Sequence, residues 1–256
     1  MKDLCLNLLF LPCMICIPLC LQHHYKPYSE LDGLFLGIGS VAMGQLVTLI
    51  YFLNWNHTTK IQETPTYNQK NALISHLLQP EGFLLLSIYL YVTWYYQLLP
   101  ASYYTYDGGI QWSSVFSQLL CQDFLQYAVH RIEHKYNDLY KFTHYRHHLY
   151  IKPIIFNAFD GSIGDTVCMI IVPLYVTSQI FHVNVWTYMT FGTIYANWLT
   201  LIHSEYVHPW DPYFDAIGFG TAENHHVHHK TFKYNYGHLF MYWDYIFGTY
   251  KRVEFK

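Results

Sequence analysis

The chain is divided by apolar runs of bilayer-spanning length, and that pattern restricts its fold more than any other feature. A transmembrane helix takes roughly 20 mostly apolar residues. Residues 34–55, 83–99, 164–181 and 184–203 meet or approach that length. The first is rich in small residues that allow close helix packing, and the second ends in aromatic residues suited to a membrane interface. The last two are joined by almost nothing and read as a tight helical hairpin. Residues 4–21 are also long enough but contain Pro12 and Pro18. A signal anchor, a cleaved signal peptide and a half-buried helix all fit them. Only 12% of the residues are charged, against about 25% in an ordinary soluble domain. The expected fold is an all-α integral membrane protein, with two transmembrane helical hairpins, 34–99 and 164–203, under a histidine-rich helical cap.

Two such hairpins leave residues 100–163 and 204–256 on one side of the membrane. Ten of the fourteen Lys and Arg lie in 131–152 and 230–256, which marks that side as cytosolic. The 56–82 loop then falls on the far side, with His76 and the Asn56-His57-Thr58 glycosylation sequon. Residues 110–130 carry Gln, Ser and Asp among their apolar positions. Asp123, Tyr127, His130 and His134 share one face of a helix, expected to lie at the membrane surface without crossing. The domain reading is an N-terminal membrane region, 1–109, and a second region, 110–256, that includes the 164–203 hairpin. A formal charge of −3 gives no basic field for nucleic acid. Cys13 and Cys16 sit in an apolar run with no second pair, as small hydrophobes do.

The seventeen histidines are not scattered. His130 and His134 are one helical turn apart. His144, His147 and His148 follow with spacing H-x-x-H-H, which returns at His225, His228 and His229. His226 adjoins the last box, and spacing favours His225 over it as a ligand. His203 ends the final apolar run. Neutral imidazole is the commonest metal ligand, and a closed zinc site uses only four donors. The boxes therefore suggest two metals. A shell of imidazoles without thiolates suits zinc, copper, iron or nickel. Asp123, on the face of His130, is a candidate to orient a ligand imidazole or else to pair with a nearby Arg or Lys. Glu133 and Glu223 are expected to be solvated. His208 and His238 lie near the boxes in sequence but are not expected to bind metal.

These boxes, with Asn235-Tyr236-Gly237 and the ending Trp243-Asp244 through Phe247-Gly248-Thr249, resemble the fatty acid hydroxylase/sterol desaturase superfamily. The segment 203–210 and the lead-in from Asp123 to His130-Arg131 are similar to that family too. The resemblance covers about 115–250. It implies a multi-pass endoplasmic-reticulum enzyme whose cytosolic cap holds two irons. Their ligands would be His130, His134, His144, His147, His148, His203, His225, His228 and His229. It also implies O2 as oxidant, and electrons from NAD(P)H through a reductase and a donor such as cytochrome b5. The expected reaction is desaturation or hydroxylation of an unactivated C–H bond of a bilayer lipid, a sterol first and a fatty-acyl or alkyl lipid second. A non-catalytic metal-binding membrane protein is the alternative of another class. The family's His-Pro pair after the second box is missing, since Phe159 runs directly into Asp160. Asn157 or Asp160 would stand in its place.

Overall fold

The computed structural model describes residues 10–54 and 59–252. Residues 4–9 of the first apolar run, and the Asn56-His57-Thr58 sequon, lie outside them. The described residues form helices and two isolated β-bridges, Lys60 with Tyr206 and Phe219 with Phe240. In chain order the helices are α1 (Cys16–Leu21), α2 (Asp32–Asn54), α3 (Gln69–Leu78), α4 (Leu85–Tyr95), α5 (Trp112–Lys135) and α6 (Asn137–Phe142). They continue with α7 (Ile163–Thr166), α8 (Val172–Ile180), α9 (Val185–Leu201), α10 (Asp211–Ala216), α11 (Ala222–Thr231) and α12 (Tyr242–Ile246). Helices are what a bilayer demands, because they satisfy every backbone polar group within the segment.

Among the described residues, three helical runs are long and apolar enough to cross a membrane: Asp32–Asn54, Gln69–Tyr95 and Ile163–Ile180. The second joins α3 to α4 across a kink, where Pro80 lacks an N–H and Gly82 leaves helical geometry at φ −92° and ψ −109°. The expected fourth span, 184–203, forms α9, which has only 17 residues. Thr187, Thr190, Thr193, Asn197 and Thr200 of α9 are all buried.

The chain forms two compact units that alternate along the sequence. The first takes residues 1–55, 87–122 and 174–197; the second takes 56–86, 123–173 and 198–256. In the first unit α2 meets α9 closely at Gly44, where an added Cβ would lie 2.4 Å from Asn197 Nδ2. Thr48 Oγ1 donates to Asn197 Oδ1 at 2.8 Å, and Gln45 Nε2 to the Ala196 carbonyl at 3.2 Å. Such pairing offsets the cost of burying polar side chains away from water.

Two topological expectations are corrected. Residues 56–82 were assigned to the side away from the histidine boxes, yet the described part, 59–82, packs with them in the second unit. The Ile61 N–H donates to the Glu205 carbonyl at 2.9 Å, and the Val207 N–H to the Thr59 carbonyl at 3.0 Å. The Tyr67 hydroxyl donates to Glu205 Oε1 at 2.6 Å, and Gln62 Nε2 to His226 Nδ1 at 2.7 Å. His76 is buried there, against the Phe156 carbonyl. Residues 105–109 were assigned to the box side, but in the first unit they bond the tip of the last hairpin. The Val185 N–H donates to the Thr105 carbonyl at 3.1 Å, and Asn184 Nδ2 to the carbonyls of Asp107 and Gly109.

Helix α5 differs from expectation for a related reason. Its polar residues Gln118, Gln122, Asp123, Gln126, His130 and Glu133 are buried, while Trp112, Phe116, Phe124 and Ile132 are exposed. A helix in water hides its apolar stripe. The reverse pattern suits a helix whose outer face meets lipid and whose inner face carries polar function. Glu133, expected to be solvated, is therefore buried.

Placement of the 56–82 segment is checked by labelling. In a cysteine-free background, Thr66→Cys and Lys230→Cys will react with a membrane-impermeant maleimide from the same side of sealed vesicles. Reaction from opposite sides would return the segment to the far face.

Candidate metal centre

The third histidine box is helical because its ends are defined. Thr221 caps α11: its Oγ1 accepts from the Asn224 N–H at 3.4 Å, and Asn224 Oδ1 accepts from the Thr221 N–H at 2.9 Å, a reciprocal capping box. Phe232, at φ 61°, closes the other end, with its N–H on the His228 carbonyl. Over these turns His225, His228 and His229 fall on one face. His226 points elsewhere, between Gln62 and the Ser204 carbonyl.

Nine histidines gather in two groups in the second unit. His130, His134, His144, His148 and His228 form one; His147, His203, His225 and His229 form the other. Within each, one nitrogen per ring lies within 4.8 Å of all the others. The rings interleave, with His148 and His229 centred 4.8 Å apart across the groups.

Hydrogen bonds on the outer nitrogens decide what the inner ones carry. A carbonyl can only accept, so Nδ1 holds the proton where it meets one. His130 Nδ1 donates to the Tyr236 carbonyl at 2.9 Å, and His228 Nδ1 to that of Tyr234 at 2.8 Å. His203 Nδ1 donates to the Leu199 carbonyl at 2.7 Å, and His147 Nδ1 to that of Asp160 at 3.3 Å. His144 Nδ1 donates to Asp165 Oδ1 at 2.9 Å. The four rings held by carbonyls are neutral and each presents a bare Nε2 inward. His147 Nε2 and His203 Nε2 then face each other at 3.3 Å with no proton to share. His130 Nε2 and His144 Nε2 are buried without a hydrogen-bond partner. Converging lone pairs of this kind fit a cation in each group, and the donor set is nitrogen alone.

Electrostatics agree with neutral rings. Burial pulls His147 down to about 4, with His144 adding to the effect, and pulls His134 down to about 2. Burial and neighbouring imidazoles hold His130, His148, His225, His228 and His229 well below the ordinary histidine value. His144 differs: burial lowers it, but the Asp165 carboxylate more than offsets this and holds it above that value. Burial pushes the Glu133 carboxyl up to about 7.

The eight box histidines singled out in the sequence, and His203, all lie in these groups. Asp123 does not orient an imidazole. It accepts the backbone N–H groups of His238, Leu239 and Phe240 at 3.2, 2.7 and 3.1 Å, and so fixes a loop. The carboxylate that does hold a ring is Asp165, which was not singled out. Its signal was an ionisable residue inside the apolar run 164–181. Asn157 caps a turn through the Ile154 N–H, and Asp160 orients His147 through its carbonyl. His208 stacks on Trp210, with ring centroids 4.9 Å apart. His238 lies beside both groups. Two cavities adjoin them. One, of about 40 Å³, is lined by His144, His147, His203 and His238 together with Phe159 and Met169. The other, of about 600 Å³, is an open cleft where Arg131 and Lys135 flank His134.

Two outcomes follow. Asp165→Ala will weaken metal binding by roughly 10–100-fold in chelator competition, as loss of an outer carboxylate does; unchanged affinity would mean that His144 is held some other way. The metal-free protein will also lose stability as pH falls from 7 to 5. Unfolded histidines take up protons near pH 6.5 while the buried rings, at about 4 for His147, do not. The unfolded state then binds more protons, so stability rises with pH, by about 1.4 kcal/mol per unit for each such group. Thermal melts that stay flat over this range would contradict neutral burial.

The fatty acid hydroxylase family profile matches residues 115–249. A relative from Phaeodactylum tricornutum, an alternative squalene epoxidase, is 44% identical over 94% of this chain and 78% of its own length. A Delta(7)-sterol-C5(6)-desaturase from Nicotiana tabacum is 26% identical over 61% of each chain. A cholesterol 25-hydroxylase-like protein from Danio rerio is 30% identical over 61% of this chain and 62% of its own. No solved structure matches the chain. With buried imidazole clusters, helices of membrane-spanning length and this breadth of similarity, the chain belongs to the fatty acid hydroxylase family of oxidoreductases.

Proposed function

We propose that this protein is an O2-dependent lipid oxidase of the endoplasmic reticulum membrane that epoxidises a squalene-type polyene at a centre of two irons. The observation that carries the metal reading is the pair of imidazole groups with inward lone pairs. The substrate follows the P. tricornutum relative, whose similarity runs through nearly the whole chain. In such a reaction one oxygen atom of O2 adds across a C=C bond, and the other leaves as water with two electrons and two protons.

Two irons, when bound, supply the activation of O2 that no side chain provides. The first would be held by His130, His134, His144, His148 and His228, the second by His147, His203, His225 and His229. The protein's part is orientation. Asp165 and the carbonyls of Tyr234, Tyr236, Asp160 and Leu199 fix ring tautomers, which sets where each lone pair points. Phe159 and Met169 give the small cavity an apolar wall beside the histidines. Arg131 and Lys135, beside His134 at the open cleft, complement an acidic electron donor such as cytochrome b5, reduced from NAD(P)H on the cytosolic side. A second reading, oxidation of a sterol C–H bond, is supported by the tobacco and zebrafish relatives, at lower identity and coverage.

The test is reconstitution. Iron-loaded protein will carry about two irons per chain. With an electron donor and ¹⁸O2 it will convert squalene to an epoxide bearing one labelled oxygen. His228→Ala will reduce turnover to background while membrane insertion persists. Product from a sterol but none from squalene would favour the second reading, and full activity in the variant would remove His228 from the centre.

A further inference from the structure

His238 is a further buried imidazole of the second unit, and neither metal group uses it. None of its nitrogens joins either set. Its ring nevertheless lies beside one member of each, centred 5.0 Å from His130 and 5.2 Å from His225. It lines the cavity of about 40 Å³ that His144 of the first group and His147 and His203 of the second also line. Its Nδ1 is buried with no hydrogen-bond partner. Buried polar atoms are normally paired, and an exception calls for an explanation such as an absent ligand.

The loop that carries this ring is held from both sides. Asp123 accepts the N–H groups of residues 238, 239 and 240. Asp244 accepts those of Tyr236 and Gly237, at 2.9 and 2.8 Å. A Cβ on Gly237 would lie 2.4 Å from the Phe240 carbonyl, so a side chain there is excluded. Asn235, at φ 56°, bonds the Asn224 and Lys251 carbonyls through Nδ2. Two buried carboxylates and a tightly turned backbone thus place one imidazole whose Nδ1 no protein group hydrogen-bonds.

We infer that His238 holds a small ligand in the cavity shared by the two histidine groups, as a hydrogen-bonding side chain and not as a metal ligand. The ligand class follows from the space and the walls. A water needs about 10–15 Å³ on this scale, so a diatomic or triatomic ligand fits and the bulk of a lipid does not. Gln126, buried on the same cavity, adds a polar edge to one side of it. His238 is thereby a positioning residue for the oxidant, and this assignment rests on the two-metal reading above.

Azide is the probe, titrated into oxidised, iron-loaded full-length protein and followed by its charge-transfer absorption. Wild-type protein must first show two irons per chain and bind azide; failure there sinks the metal reading itself. His238→Leu, which keeps the backbone N–H groups that Asp123 accepts, will retain both irons and bind azide about tenfold more weakly, as loss of a hydrogen bond to a charged group predicts. His238→Gln keeps a donor of similar reach and will recover most of that affinity. His238→Asn, polar but too short, will behave as the leucine variant does and stands in if leucine prevents folding. Unchanged azide affinity in the leucine and asparagine variants would overturn the assignment. So would loss of one iron from all three, which would make His238 a ligand.

Discussion

The structure depends on one electrostatic constraint: nine imidazoles, eight buried and His134 half-buried, converge in two groups, and the four whose Nδ1 bonds a backbone carbonyl turn bare Nε2 lone pairs inward. Outer hydrogen bonds set this arrangement. Once Nδ1 of the neutral rings His130, His147, His203 and His228 is committed to a carbonyl, Nε2 has no proton to give. Two such nitrogens 3.3 Å apart, as in His147 and His203, repel unless a cation lies between them. Buried donors and acceptors without partners are costly, and here the cost falls on many at once. A metal in each group would convert it into binding energy and so link metal loading to folding of the second unit.

The membrane explains how so polar an interior is tolerated. Helix α5 turns Gln118, Gln122, Asp123, Gln126, His130 and Glu133 inward and Phe116, Phe124 and Ile132 outward. In water this helix would be inverted. With lipid outside, the apolar residues cost nothing where they stand, and the interior is free to carry polar chemistry. The same logic appears in α9, where the buried Thr187, Thr190 and Asn197 are bonded within the first unit.

Much of the site was legible in the sequence because histidine spacing is local. His225, His228 and His229 on one helix, and His130 and His134 on another, follow from helical periodicity alone. Segments that meet only through tertiary contacts were not legible. Gln62 and Tyr67 reach His226 and Glu205 across more than a hundred residues, and no local pattern announces that. Asp165 holds the imidazole for which Asp123 was the candidate, and that was not legible for a similar reason. Position on a shared face cannot tell whether a carboxylate meets an imidazole or a distant loop's N–H groups. Amphipathicity was misjudged at Glu133, because a period of 3.6 gives a face but not the solvent that the face meets.

The most direct test of the central claim is a density map of the iron-loaded protein that locates the metals. The account places one ion inside the group of His130, His134, His144, His148 and His228, and a second inside that of His147, His203, His225 and His229. A single ion, or ions bound outside these rings with the imidazoles still facing one another, would contradict it.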